Sequence, residues 1–397
     1  MDFELSDEER AFQEAVRKFG DRVLRPAEPA IDQGGRIPPE VIQAMAELGL
    51  LAMPVPSEFG GMGASAALTE LAAEEVGRGD LSMATAVFFL LEAGWGWLLA
   101  RHGTDAARRS VLPSVCKGES FLGIATTEPG GGSDLARMRT TARRTSDGFV
   151  LNGEKTFVSG TAEAASLGGG HLTLARDVDG KGFHFLYVPT RSPGLSTHRF
   201  ENMGRMGIST GSLSYADVEV PASNLIGEAG HGFELALEGF QVARTFVSAA
   251  CVGAAERALE IGTAHITRRE AFGQPLAKYE GIQFELADLY TQVEAVKWQC
   301  RRAAWLLDRY TMRGDDSHRS EVNRAVASVK LTAPPIAFEA VKRVMMWFGA
   351  AGYTKDVGLE RGLRGIMSYM VGAEGGLNIM RIILGRELLG KEFLPYP

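Results

Sequence analysis

The sequence predicts an α+β fold that is mostly α, with an N-terminal helical part, a middle β part and a C-terminal four-helix bundle. Three observations carry this prediction. Up to about residue 117 apolar side chains recur at helical spacing; between 118 and 230 the pattern becomes short alternating segments with turn residues between them; from 231 onward helical spacing returns in long runs. The expected divisions are therefore 1–117, 118–230 and 231–397, and 397 residues suffice for two or three domains that each bury a core.

The elements follow in chain order. Ser6 with Glu9 three residues on reads as a capping box, and Phe12, Val16 and Phe19 then fall on one helical face. Pro38-Pro39 opens a second helix carrying Val41, Ile42, Met45 and Leu48 before Gly49. The apolar run from Leu81 to Leu99, with Phe88, Phe89, Trp95 and Trp97, predicts a core helix, because large aromatics are mostly buried for packing. In the middle part, segments 143–151, 171–176, 182–189 and 212–220 read as strands, with Asp147-Gly148 and Asn152-Gly153 as turns. In the last part, Ile282, Leu286, Leu289, Val293, Val296, Cys300, Ala303 and Leu307 step by three and four, the seam of a helix packed lengthwise on others. Pro334-Pro335 lies inside the next predicted helix, where the missing N–H groups predict a bend.

Composition excludes several functions. A net charge of −7 and a pI near 5.7 give no basic field for nucleic acid or an anionic membrane surface, so neither is an expected partner. Three separated cysteines, Cys116, Cys251 and Cys300, fit buried thiols in a reducing compartment better than a disulfide framework, and the seven histidines lack ligand spacing, so no metal is expected. With no basic stretch leading into an apolar core at the start, the expected location is cytoplasmic.

The chemistry starts at residues 121–135. A strand-length apolar run, Phe121 to Ala125 with Ile124 in it, ends in Thr126 and Thr127 and then in Pro129, Gly130, Gly131, Gly132 and Ser133. Consecutive glycines let backbone N–H groups approach an anion, and Ser133 adds a hydroxyl donor there; an ordinary glycine turn is the competing reading. The full string Thr127-Glu128-Pro129-Gly130-Gly131-Gly132-Ser133-Asp134 resembles the Thr-Glu-Pro-Gly-x-Gly-Ser-Asp signature of the acyl-CoA dehydrogenase flavoproteins. Further landmarks follow in order along nearly the whole chain. Asn152-Gly153-Glu154-Lys155-Thr156-Phe157-Val158-Ser159 resembles the family's Asn-Gly-x-Lys-x-Trp-Ile-Thr/Ser segment, and residues 217–232 resemble its exit from the β-domain. Arg269-Glu270-Ala271-Phe272-Gly273-Gln274-Pro275 matches Arg-x-x-Phe-Gly-x-Pro, and Gly349-Ala350-Ala351-Gly352-Tyr353 is similar to Gly-Gly-x-Gly-Tyr.

This resemblance implies the acyl-CoA dehydrogenase fold with FAD as cofactor. FAD contacts are implied at Ile124, Thr126, Thr127, Gly132 and Ser133, at Phe157 against the isoalloxazine and Ser159 near its reactive edge, and at Gly349. Arg269 and Phe272 would reach the FAD of a neighbouring subunit in a homotetramer or homodimer. Read alone, Phe157 is a strand core residue and Arg269 a surface ion pair.

Glu374, in Gly372-Ala373-Glu374-Gly375-Gly376, aligns from Arg386-Glu387-Leu388-Leu389 with the family's Tyr-Glu-Gly-Thr catalytic loop. Its apolar, glycine-rich surroundings predict a carboxyl whose ionised form is poorly solvated, with a pKa raised toward that of a useful base; an exposed loop glutamate is the alternative. Ala243, at the family's other position for the base, cannot serve, and Arg244 beside it is expected to help position the loop. Ser133, Arg244, Ala373 and Gly375 are the expected substrate contacts. Ala373 and Gly376 stand where the family often has Tyr and Thr, and the smaller Ala373 suits branched or cyclic acyl chains. The implied reaction is α,β-dehydrogenation of an acyl-CoA thioester with electrons passed to electron-transfer flavoprotein. Same-fold oxidases, acyl-carrier-protein-linked desaturases and enoyl reductases are alternatives, as is a catalytically silent flavin-bearing binding protein.

Overall fold

The computed structural model describes residues 4–180 and 182–393. The first helix, α1 (Asp7–Phe19), starts at the expected capping box: Ser6 accepts from the Glu9 N–H, and the Glu9 carboxylate accepts from the Ser6 N–H. Acidic residues in its first turn and Arg17 and Lys18 in its last complement the helix dipole. α2 (Arg25–Gly34), α3 (Pro39–Glu47), α4 (Ala66–Gly79), α5 (Ala84–His102) and α6 (Asp105–Cys116) follow. α5 is the predicted core helix, buried on every side from Ala84 to Ala100 because α4, α6, α8 and β1 pack around it.

The middle part is a seven-stranded mixed sheet. Its strands are β1 (Phe121–Ala125), β2 (Thr141–Arg144), β3 (Gly148–Ser159), β4 (Gly169–Asp177), β5 (Phe183–Pro189), β6 (Leu195–Arg199) and β7 (Thr210–Pro221), ordered β1-β4-β2-β3-β7-β6 with β5 also on β4. One short helix, α7 (Thr161–Leu167), sits between β3 and β4. β1 and β2 run parallel to β4; the other pairings are antiparallel. A second, smaller core fills the sheet with Phe149, Leu151, Val158, Leu213 and Val218 among others.

Two strand expectations need correction. Residues 143–151 are not one strand, because the chain reverses between Arg144 and Gly148, where Thr145 N–H donates to the Gly148 carbonyl. Asn152-Gly153 is no turn. It lies inside β3, where the register on β7 shifts between Leu151 and Gly153, and the Asn152 amide exchanges two 2.9 Å hydrogen bonds with Asp217. That side-chain pair fastens a bulge in place of a reversal. The short edge strand β6 had no expected counterpart.

The last part contains α8 (Gly232–Ile266), a small hairpin of β8 (Glu270–Ala271) and β9 (Gln274–Pro275), then α9 (Glu280–Arg309), α10 (Arg319–Trp347), α11 (Leu359–Val371) and α12 (Leu377–Leu389). α8 is long and apolar enough to cross a membrane, but most of its apolar stretch is buried inside the molecule. It crosses α4 at backbone contact: a Cβ on Gly253 would stand 1.8 Å from the Glu74 carbonyl oxygen. The seam of α9 is buried from Leu289 through Leu307, while Ile282 and Leu286 at its start are only partly covered. α10 runs as one helix through Pro334 and Pro335, so these prolines do not end it. The i→i−4 pattern deprives only the Lys330 and Leu331 carbonyls of helical donors, and packing of α8, α9, α11 and α12 against α10 holds the segment.

Candidate active site

One cavity of about 1100 Å³ is lined by all three parts of the molecule. On the sheet side, β1 delivers Ile124, and the chain beyond it brings Thr126, Thr127, Gly132 and Ser133 to the wall. The turn closes on itself through Glu128 N–H to the Gly131 carbonyl at 3.2 Å and the reverse bond at 3.0 Å. A Cβ on Gly130 or Gly131 would meet nothing within 4 Å, so the backbone there faces open space.

This turn is tied to β3 by a buried ion pair. The Glu128 carboxylate accepts from the Arg139 and Thr140 N–H groups at 2.6 and 2.8 Å and from Lys155 Nζ at 2.9 Å; Lys155 also donates to the Thr126 carbonyl at 3.1 Å. Burial works to raise the Glu128 carboxyl, but these donors outweigh it and hold it at about 2. Burial lowers Lys155 to about 8 against the pull of Glu128, so the pair is charged at neutral pH. Thr156 N–H donates to the Thr127 carbonyl at 2.8 Å, fixing the next residue of β3 against the turn.

Phe157 follows. It is 70% exposed, has φ +54° and lines the cavity, its ring 5.6 Å from that of Phe200. A strand core residue is thereby ruled out; the aromatic face is presented to the cavity. Ser159, at the end of β3 and paired in register with Thr210, lines the same wall.

On the helical side the loop between α11 and α12 carries Ala373, Glu374 and Gly375 into the cavity. Glu374 sits at φ +56°, a left-handed conformation costing a β-carbon-bearing residue about 1–2 kcal/mol. The surroundings hold it there. Arg244 Nε, from α8, donates to the Glu374 carbonyl at 2.8 Å, and Lys330 Nζ, from α10, donates to the Tyr369 carbonyl at 2.5 Å and the Gly375 carbonyl at 3.3 Å. The Glu374 residue is only partly buried because it borders an open cavity, yet its Oε2 is shielded from solvent and has no hydrogen-bond partner. Burial raises its carboxyl to about 7, against the opposing charges of Arg244, Lys330 and Arg205.

Of the residues singled out from sequence, Ile124, Thr126, Thr127, Gly132, Ser133, Phe157, Ser159, Arg244, Ala373, Glu374 and Gly375 converge on this one cavity. Arg269, Phe272 and Gly349 do not line it. Phe272 stands at the tip of the β8–β9 hairpin with 98% of its surface exposed, and Arg269 at its base forms no ion pair with a described residue. Gly349 opens the turn after α10 with φ +60° and open space beside it. The surface salt bridge considered for Arg269 is therefore absent among the described residues.

Sequence reasoning missed Lys330, Arg205 and the Glu128–Lys155 pair. Lys330 did leave a trace: Val322, Val326, Val329, Ala333 and Ala337 mark the buried stripe of α10, and the lysine interrupts it. Arg205, buried at φ +54° with an unpartnered Nε, left none.

Comparison with known proteins shows the family. Models of the N-terminal, middle and C-terminal domains of acyl-CoA dehydrogenase match residues 6–119, 123–218 and 230–389. The chain is 33% identical to the probable acyl-CoA dehydrogenase YngJ of Bacillus subtilis, covering 98% of this chain and 100% of that one. It is 32% identical to the cyclohexane-1-carbonyl-CoA dehydrogenase of Geobacter metallireducens, over 98% and 99%. The solved butyryl-CoA dehydrogenase of Megasphaera elsdenii superposes with a TM-score of 0.88 at 26% identity, covering 98% of this chain and 100% of that one. The chain belongs to the acyl-CoA dehydrogenase family, FAD-dependent oxidoreductases that act on a CH–CH bond.

The residues present fit that cofactor. The open glycine turn leaves room at the backbone for a pyrophosphate, and exposed Phe157 offers a flat apolar surface to a ring in the same cavity that Glu374 lines.

Proposed function

We propose that this enzyme removes the α and β hydrogens of an acyl-CoA thioester to give the 2-enoyl thioester. Glu374 takes the α-proton as a carboxylate, and the electron pair of that C–H bond becomes the new π bond as the β-hydride leaves. FAD, held by residues of the sheet side, would supply the hydride acceptor. The observation that carries the reading is Glu374 itself: it lines the cavity that the proposed flavin-facing segments also line, burial raises its carboxyl to about 7, and its shielded Oε2 has no hydrogen-bond partner among the described residues. The Glu374 N–H makes no backbone hydrogen bond with a described residue and is available to a thioester carbonyl as enolate charge develops.

Ile124, Thr126, Thr127, Gly132, Ser133, Phe157 and Ser159 hold the cofactor in this reading; Ser133, Arg244, Ala373 and Gly375 border the thioester. Val87, Leu90 and Leu91 of α5 give the cavity an apolar wall for the acyl chain. Ala373 leaves space where a larger residue would stand, which supports branched or alicyclic substrates. The exposed Phe272 and Arg269, which has no ion-pair partner among the described residues, support contact with the FAD of a neighbouring copy in a homodimer or homotetramer. Electron-transfer flavoprotein is the proposed acceptor, in the cytoplasm.

The test is anaerobic titration of the yellow protein with linear, branched and alicyclic acyl-CoA thioesters, followed by air. Bleaching by branched or alicyclic thioesters and slow recovery in air are expected. Absence of bleaching across the panel would overturn the reaction, fast recovery would make the protein an oxidase, and highest kcat/KM on short linear thioesters would remove the substrate proposal.

A further inference from the structure

Lys330 is one of the largest fully buried side chains in the molecule, and it has no carboxylate partner among the described residues. A buried ammonium is costly unless its hydrogens are well used. Here they go to two main-chain oxygens, those of Tyr369 at 2.5 Å and Gly375 at 3.3 Å, on either side of the segment that displays Glu374. Arg244 grips the Glu374 carbonyl itself. Neither cation hydrogen-bonds the Glu374 carboxyl.

The arrangement resolves a conflict. A cation placed directly on the Glu374 carboxylate would favour its ionised form too strongly and occupy the oxygen that must receive a proton. Holding the backbone instead fixes a left-handed residue between Tyr369 and Gly376 and leaves Oε2 free. We propose that Lys330 is a positioning residue for the proton-abstracting step: its ammonium fixes the Glu374 loop through the Tyr369 and Gly375 carbonyls and sets the carboxyl's basicity from a distance.

Facing Lys330 are Cys251 and Arg244 of α8, Tyr369 at the end of α11, and Glu374. Burial lowers Lys330 to about 8, with Arg244 adding to the fall and Cys251 and Glu374 opposing it, so it is largely protonated at neutral pH. The sign follows for Glu374: the Lys330 charge lowers the carboxyl, so removing it must push the carboxyl above 7.

This inference rests on the reading of Glu374 as the base. The test compares Lys330→Met, which matches the stem without charge or donors, Lys330→Gln, which keeps donors without charge, and Lys330→Arg, which keeps both. Each is purified with its flavin and followed by anaerobic stopped-flow bleaching with the best thioester from pH 5.5 to 9. Thioester Kd, flavin content and melting midpoint are measured alongside.

For Lys330→Met the expected result is near-stoichiometric flavin and a Kd within about threefold of the parent, with bleaching slowed about 10- to 100-fold, the scale of a misplaced catalytic group. Its pH limb should rise above 7, as should that of Lys330→Gln, and Lys330→Arg should return the limb toward the parent. An unshifted limb in both neutral variants overturns the proposal, as does loss of folding or flavin in both, which would assign Lys330 to stability alone. Glu374→Gln separates the two ideas: if it still bleaches at the parent rate the base assignment fails, whereas an inactive Glu374→Gln beside unaffected Lys330 variants sinks only the role given to Lys330.

Discussion

Among the described residues two lysines are fully buried, and burial lowers each to about 8, yet they are used in different ways. Lys155 meets a carboxylate, Glu128, at 2.9 Å and so welds the glycine turn to β3. Lys330 meets only carbonyl oxygens and keeps its charge available to the loop it supports. On the sheet side the surface proposed to face the cofactor has to stay fixed, and an ion pair cancels its own field over short range. On the helical side a titrating group has to be tuned, and an uncancelled charge one loop away acts on it through a weakly screening interior. The difference teaches that a buried lysine is read from its partner: a carboxylate marks a weld, a pair of carbonyls leaves the field intact.

The comparison can be broken at several strengths. Glu374→Gln should have the largest effect, slowing thioester-driven bleaching by about 10²–10⁴-fold while the flavin spectrum is retained. For the parent, the bleaching rate should rise with pH through about 7, because the proposed base Glu374 acts only as a carboxylate; a rate flat from pH 5.5 to 9 would exclude this carboxyl. Lys155→Met comes next. It leaves the buried Glu128 carboxylate without its ammonium and should cost about 3–5 kcal/mol in urea unfolding, with the pH limb near 7 unmoved in whatever holoenzyme remains.

The weld also sets an acid limit. Glu128 is held at about 2, below its ordinary 4.5, so its stabilising contribution is complete above about 4.5 and is lost as pH falls toward 2. Glu128→Gln should flatten the fall in melting midpoint over that interval. Arg244→Lys should slow bleaching about tenfold, since it removes the Nε bond to the Glu374 carbonyl but leaves a cation nearby. Smallest of all, Lys18→Met breaks the exposed pair with Glu14 on α1 and should leave the melting midpoint unchanged, because water already screens both groups.

Much of the architecture was legible because its signals are local. Ser6 and Glu9 mark a helix start within four residues, and the stepping of Leu289 through Leu307 marks a buried seam without reference to other elements. Asn152-Gly153 misled because its conformation is settled by Asp217, sixty-five residues away, which no local pattern records. Pro334-Pro335 lie inside a helix, as the pattern predicts, and the four neighbouring helices packed on α10 hold the segment despite two missing hydrogen bonds. The same division holds at the site. Glu374 and the glycine turn are short strings whose residue types carry chemistry. Lys330 and Arg205 act through space, and only the lysine's interruption of an apolar stripe could have pointed to it.

The backbone of Glu374 has one more consequence. Glycine would adopt φ +56° without the steric penalty a side chain meets there, so Glu374→Gly should melt at a higher temperature than the parent even as it loses its reaction. Working capacity and durability pull in opposite directions at this single position. A descendant released from selection for turnover would therefore gain stability by discarding the acid.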